Sequence, residues 1–195
     1  MRQGTIERKT KETSITVKMN LDGKGHHEIV TRLNFLDHLV NSFALHGLID
    51  LRVSADGDLH VDDHHLVEDV AITLGQALMK ALGEKRGIRR FGTSITPMDD
   101  VLIIAAIDLS DRAHFESNLE FKRTKLGDMA AEMVNHFFKS FAEAGKFNLH
   151  LLLLKGKNDH HKAEAAFKAV AIALSQAIEI NPRIKGHIPS AKGTF

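Results

Sequence analysis

The chain has 195 residues, 43% of them hydrophobic, with 26 basic against 25 acidic side chains and 13 histidines, which suits one domain or two small ones with an ordinary core. A net charge of +1 argues against a nucleic-acid or membrane-surface partner, and the lack of cysteine excludes disulfides and thiolate metal sites. No apolar run approaches a membrane span and no signal-like stretch opens the chain, so the sequence reads as cytoplasmic.

Residues 5–17 alternate, with Ile6, Ile15 and Val17 among polar neighbours, and read as strand. The run Leu21-Asp22-Gly23-Lys24-Gly25 has hairpin-turn chemistry. Another strand is expected over 29–33. From Phe35 the period changes: Phe35, Leu39 and Phe43 share a helical face, and Gly47 stops the helix. Residues 48–55 return to strand before the turn Asp56-Gly57-Asp58.

The next stretch holds the most chemistry. Residues 58–69 read DLHVDDHHLVED, and an apolar helical run follows to about Gly83. Asp62 or Asp63 is the expected N-cap, since a carboxylate there accepts amide hydrogens of the first turn. On a helix, residues three apart share a face and adjacent residues point about 100° apart. His65 and Glu68 can therefore converge on one ion while His64 is aimed elsewhere. Imidazole with carboxylate is a typical set for a divalent transition metal. Acidic residues also belong at a solvated helix N-terminus without any metal.

Residues 87–92 read as a basic, glycine-bounded connector, followed by Met98-Asp99-Asp100 and a strongly apolar strand over 101–109. Asp111-Arg112 forms a turn, residues 114–121 alternate as strand, and residues 129–144 form an amphipathic helix with His136 among its apolar positions. A strand over 149–154 leads to Asn158-Asp159-His160-His161-Lys162-Ala163-Glu164 and a last long helix. The tail from Ile188 is irregular.

The second doublet repeats the first 96 positions later, with its glutamate at the same spacing, and His136 follows His38 by 98. This is an internal duplication. The expected fold is α+β: two halves, 1–92 and 93–195, each a four-stranded mixed sheet backed by two helices. The pooled ligands are His38, His64, His65 and Glu68 from one half and His136, His160, His161 and Glu164 from the other. That makes four protein ligands for each of two metals, leaving open positions for substrate and water. A zincin's His-Glu-x-x-His is absent, the Glu-x-x-His order of di-iron bundles is reversed, and no phosphate loop of the Gly-x-x-x-x-Gly-Lys kind occurs. Arg90, Arg112, Lys168 and Lys192 flank turns, a helix or the tail, and Ser190 with Lys192 offers donors suited to an anion. Composition alone does not choose these from the other basic residues.

The chain resembles the imidazoleglycerol-phosphate dehydratase family over essentially its whole length. The resemblance is carried by residues 8–13 (RKTKET), 35–38 (FLDH), His46-Gly47, 57–70 (GDLHVDDHHLVEDV), Arg90-Phe91-Gly92, Pro97-Met98-Asp99, 108–112 (DLSDR), the His160-His161 segment and 189–193 (PSAKG). It implies a ribosomal protein S5 domain 2-like fold. It also implies a two-manganese enzyme of histidine biosynthesis that dehydrates imidazole glycerol phosphate to imidazole acetol phosphate, through a metal-bound imidazolate and a diazafulvene-like intermediate. The partners implied are a small phosphate substrate and other copies of the chain, in a hollow 24-subunit homo-oligomer with sites at subunit contacts. By the family pattern one metal takes His38, His65, Glu68 and His160, and the other takes His64, His136, His161 and Glu164. Glu12 falls on the acid/base position, and Arg90, Arg112, Lys168, Ser190 and Lys192 fall on the phosphate ligands.

The chain departs from the pattern at Arg32 and Asn34, where glycines are common, and at Asp111 and Ala113, which flank Arg112 in place of glycine and proline. A different class of function is a metal-stapled assembly protein without turnover. A metallohydrolase needs a spare carboxylate near a doublet, a role open to Asp62 or Asp63.

Overall fold

The computed structural model describes residues 1–184 and 186–194. Lys185 and Phe195, both inside the second expected half, lie outside the described residues.

Alternating apolar and polar residues build the first sheet. β1 (Gln3–Lys9) and β2 (Thr13–Asn20) are antiparallel; β3 (His27–Val30) precedes helix α1 (Asn34–Gly47), and β4 (Asp50–Gly57) precedes α2 (His64–Leu82). The strand order is β1-β2-β4-β3, with β3 parallel to β4. Ile15, Val17, Met19, Leu51 and Val53 turn inward. The second sheet repeats the plan. β5 (Phe91–Met98), β6 (Val101–Asp108) and β7 (His114–Ser117) are followed by two-residue strands β8 (Lys125–Leu126) and β9 (Met129–Ala130), then α3 (Met133–Gly145), β10 (Asn148–Lys155) and α4 (Asp159–Ile178). Its order, β5-β6-β10-β7, again ends on a parallel edge strand.

The architecture is α+β, two four-stranded mixed sheets with helices between them. α1 and α2 lie on the first sheet, α3 and α4 on the second, and α2 packs on α3 and α1 on α4. Where α3 meets α4, the rings of Phe137 and Phe138 each pack tilted against Phe167, with centroids 4.8 Å and 4.6 Å away. Each first strand carries a glycine under the second helix of its half. A β-carbon on Gly4 would run into the carbonyl of Ala77, and one on Gly92 into that of Ala173. Ala173 follows Ala77 by 96 positions, the interval of the doublets.

Several expectations change. The first turn lies at residues 10–12, not 21–25, so the single strand expected over 5–17 is a hairpin. Thr10 Oγ1 accepts from the amides of Glu12 (3.1 Å) and Thr13 (2.9 Å) and closes it. Residues 91–98 form a strand that the connector reading missed, and the boundary expected between 92 and 93 falls inside it. Its inward positions are Gly92, Ser94 and Thr96, too small and polar to signal burial; Ser94 Oγ donates to Ala169 O at 2.8 Å instead. Residues 129–130 are strand, not helix, because Gly127 (φ 61) turns the chain just before them, and the strand expected to reach 121 stops at Ser117.

Candidate metal centre

The doublets stand in the first turns of α2 and α4, where amide hydrogens lack helical acceptors. Asn158 Oδ1 accepts from the amides of His160 (3.0 Å) and His161 (3.3 Å). In α2 the amide of His64 donates to Asp62 (2.9 Å). Asp63, at the N-cap position, makes no capping bond and accepts from the amide of Ala130 across the molecule. Its counterpart Asp159 accepts from the amides of Lys122 and Arg123 at 2.8 Å each. Asp128, from the second half, accepts from the amides of Asn34 (2.7 Å) and Phe35 (2.9 Å), which fixes the start of α1 and so of His38. Asp62 is thus occupied at the start of α2 and Asp63 on the amide of Ala130, which weakens their candidacy as a hydrolase base.

Two groups of ligands form, each drawing on both halves. His64 and Glu68 of α2 meet His136 of α3, with ring centroids of the two histidines 4.5 Å apart and His136 Nε2 3.1 Å from Glu68 Oε1. His38 of α1 meets His160 and Glu164 of α4, with centroids 5.7 Å apart and both Nε2 atoms 3.2 Å from Glu164 Oε2. Within each group the three donor atoms lie within 4.8 Å of one another. Ligands about 2.1 Å from a shared ion sit roughly 3–4 Å apart, so both groups fit a divalent transition ion. Burial raises the Glu164 carboxyl, but Lys168 and His38 outweigh it and hold the carboxyl down to about 2.

Inside one chain Glu68 goes with His64, four residues away, and not with His65 as the three-residue spacing led us to expect. Glu164 likewise goes with His160. The other ring of each doublet turns away. His65 Nδ1 lies 3.1 Å from Asp58 Oδ2 and 3.9 Å from Glu12 Oε2. His161 Nδ1 lies 2.9 Å from Asp100 Oδ1, and its Nε2 3.4 Å from Asp99 Oδ2. The hydrogen bond to Asp58 raises the pKa of His65, and the amide of Lys157, His161 and the amide of Asn158 depress that of Asp100.

Glu12 stands in the β1–β2 turn, which a buried carboxylate fastens to α2. Asp69 accepts from Thr13 Oγ1 (2.5 Å) and pairs with Arg8 (2.8 Å). The basic candidates do not gather in one place. Arg90 pairs with Asp108 at 2.6 Å and 3.0 Å and donates to Pro189 O in the tail that carries Ser190 and Lys192. Its backbone amide bonds Ala177 O, and its carbonyl accepts from Leu109, just before the Arg112 turn. Lys168 is elsewhere, 2.8 Å from Glu164. His160 and Ala177 are 17 residues apart on α4, roughly 25 Å at about 1.5 Å per residue.

The departures have a backbone meaning. Arg32 (φ 65) and Asp111 (φ 60) both hold the left-handed conformation that glycine adopts freely. Each is tied down, Arg32 to Asp56 at 3.2 Å and Asp111 to the buried Lys85. Asn34 opens α1, its side chain on Asp128 at 2.9 Å.

Sequence reasoning missed Asp58, Asp69, Asp99 and Asp100. Asp58 and Asp69 lay inside the quoted motif, and Asp99 and Asp100 stood out only as a doublet before a strand. Nothing in the sequence brings that turn to His161, because the contact spans 61 positions.

Comparison with known proteins adds an independent line. Residues 31–174 match the family model described as imidazoleglycerol-phosphate dehydratase. An imidazoleglycerol-phosphate dehydratase from Granulibacter bethesdensis is 52% identical over 194 residues, covering 100% of this chain and 99% of the relative. One from Streptococcus mutans is 52% identical over 193 residues, with 99% of each covered. Among solved structures, the Staphylococcus aureus enzyme superposes with a TM-score of 0.83 at 30% identity, covering 92% of this chain and 99% of that one. The Pyrococcus furiosus enzyme gives 0.84 at 35% identity, covering 97% and 100%. Among the described residues no helix is long and apolar enough to cross a membrane.

Proposed function

The chain belongs to the imidazoleglycerol-phosphate dehydratase family, and on that footing we propose that it works with two divalent ions, at sites closed between copies of itself. It is a hydro-lyase of histidine biosynthesis. In the reaction a hydroxyl leaves the carbon attached to the imidazole and a proton leaves the next carbon; the resulting enol becomes the ketone, imidazole acetol phosphate.

One ion would be held by His38, His65, Glu68 and His160, the other by His64, His136, His161 and Glu164. The observation that carries this reading is the pair of cross-half groups: His38 with His160 and His64 with His136 already lie together in one chain. The remaining ligands of each set, His65 with Glu68 and His161 with Glu164, are each three residues apart on one helix face, suited to delivery from an adjoining copy. When bound, such ions supply Lewis acidity and a template for the imidazole ring. Manganese, the 24-copy assembly and the cytoplasmic setting rest on the resemblance.

Glu12, 3.9 Å from His65 and with its side chain 54% exposed, is within reach of a substrate and moves the proton as general acid/base. Arg112, Ser190 and Lys192 hold the phosphate. Arg90 braces the tail through Pro189 while it pairs with Asp108. The roughly 25 Å along α4 between His160 and the Arg90 end exceeds the reach of a three-carbon phosphate ester, so phosphate and imidazole of one substrate are held by different copies. Lys168, beside Glu164, belongs to the metal side and meets the phosphate from there.

The test is conversion of imidazole glycerol phosphate before and after chelation. Turnover lost with chelator and restored by manganese supports the reading. Turnover indifferent to chelator overturns it, and metal-dependent assembly with no turnover leaves the sites as staples.

A further inference from the structure

We propose that Asp58 and Asp100 are positioning residues that fix the tautomers of His65 and His161, so that each ring presents an unprotonated Nε2 to a divalent ion. This inference rests on the metal reading above. Both aspartates meet the same ring atom, Nδ1, at 3.1 Å and 2.9 Å. They reach it from unrelated places. Asp58 follows β4, and its own amide donates to Glu12 O at 3.1 Å. Asp100 closes the two-residue turn between β5 and β6, and its carboxylate also accepts from the amides of Lys157 (2.7 Å) and Asn158 (3.2 Å). The Asp100 carboxylate is therefore held by contacts that do not depend on the imidazole, and Asp58 is held in place through its backbone.

The chemistry is then forced. A neutral imidazole carries one N–H, and an ionised carboxylate only accepts, so Nδ1 holds the hydrogen and Nε2 keeps its lone pair. Carboxylates placed this way orient ligating histidines and raise their basicity. The group facing His161 Nε2 is Asp99, whose side chain is 72% exposed and can swing into solvent. Among the described residues no aspartate pairs with the four rings inside the two groups; there His38, His136 and His160 turn Nε2 to a glutamate.

Asp58→Asn and Asp100→Asn keep size but replace an obligate acceptor by a carboxamide that also donates; in Asp100→Asn the oxygen stays on the amides of Lys157 and Asn158, so the amino group faces Nδ1 and favours the other tautomer. Nitrogen-15 spectra of histidine-labelled, metal-free protein, well above the imidazole pKa, should show Nδ1–H for His65 and His161. Asp100→Asn should switch His161 alone, Asp58→Asn should populate Nε2–H in His65 alone, and each should weaken manganese binding about 10–100-fold, with the metal-free thermal midpoint unchanged. Asp56→Asn, on an aspartate paired with Arg32, is the control and should change neither. Unaltered manganese affinity in the variants, or Nε2–H rings in the parent, overturns the proposal alone. A parent protein that takes up no manganese overturns the metal reading, and this proposal with it.

Discussion

The two halves share a strand order, a doublet and a glycine under the second helix, and differ in what surrounds the doublet. In the first half the β1–β2 turn carries Glu12 towards His65, and Asp69 fastens that turn through Thr13 and Arg8. Ninety-six positions on, the residue matching Asp69 is Ala165. In the second half the β5–β6 turn is only Asp99-Asp100, and the phosphate candidates Arg112, Lys168, Ser190 and Lys192 lie there, with Arg90 just before β5. On the function proposed above, a repeated backbone supplies metal ligands twice, while the group that would move a proton and the groups that would hold an anion each appear once. The equal strand orders support reading the chain as two copies of one ancestral unit.

The strongest way to break this comparison is to exchange the acids. Glu12→Gln should cut turnover about 100- to 10,000-fold, with metal content and assembly intact, whereas Asp99→Asn should cost far less. Equal losses in steady-state assays would remove the assignment of proton transfer to the first half. Asp69→Ala comes next. It strips a buried partner from Arg8 and should lower stability by about 3 kcal/mol in chemical denaturation. A loss within about 0.5 kcal/mol, the surface range, would mean the turn is not fastened there. Arg112→Ala should raise KM about 10-fold or more with kcat little changed, the scale of a lost charge-assisted hydrogen bond, while Lys18→Ala on the first sheet should leave KM alone.

The smallest effect concerns acid. In the second half Asp128 and Asp159 are depressed against the opposing pull of burial, by backbone amides and, for Asp159, by Lys162; Glu164 is held at about 2. A carboxyl whose folded pKa lies below its unfolded value contributes fully above about pH 4 and loses that contribution as pH falls through the folded value. The first half has the depressed carboxyls Asp22 and Asp50. Below about pH 4, amide exchange in α4 should therefore rise before that in α2. The opposite order would contradict the comparison.

Much of this was legible in the sequence, for identifiable reasons. The doublets, their 96-residue interval and the helix expected from Phe35 follow from spacing, which the backbone obeys directly. β5 was hidden because Ser94 and Thr96 are buried by hydrogen bonding and close packing instead of by apolar bulk. The turn at Thr10 was hidden because one hydroxyl closes it. The neighbours of Glu68 and Glu164 inside one chain were not legible, because spacing on one helix says nothing of what α3 and α1 bring from the other half. The phosphate candidates came from resemblance, since surface lysines and arginines look alike until the fold places them.

The central claim is that both halves contribute to each of two metal sites. It is tested most directly by the manganese content of protein saturated with the ion and freed of excess, measured by elemental analysis. The account predicts two ions per chain, falling to one when His64 and His136 are both replaced by alanine. A parent chain that retains no ion, or a double variant that retains as much as the parent, would contradict it.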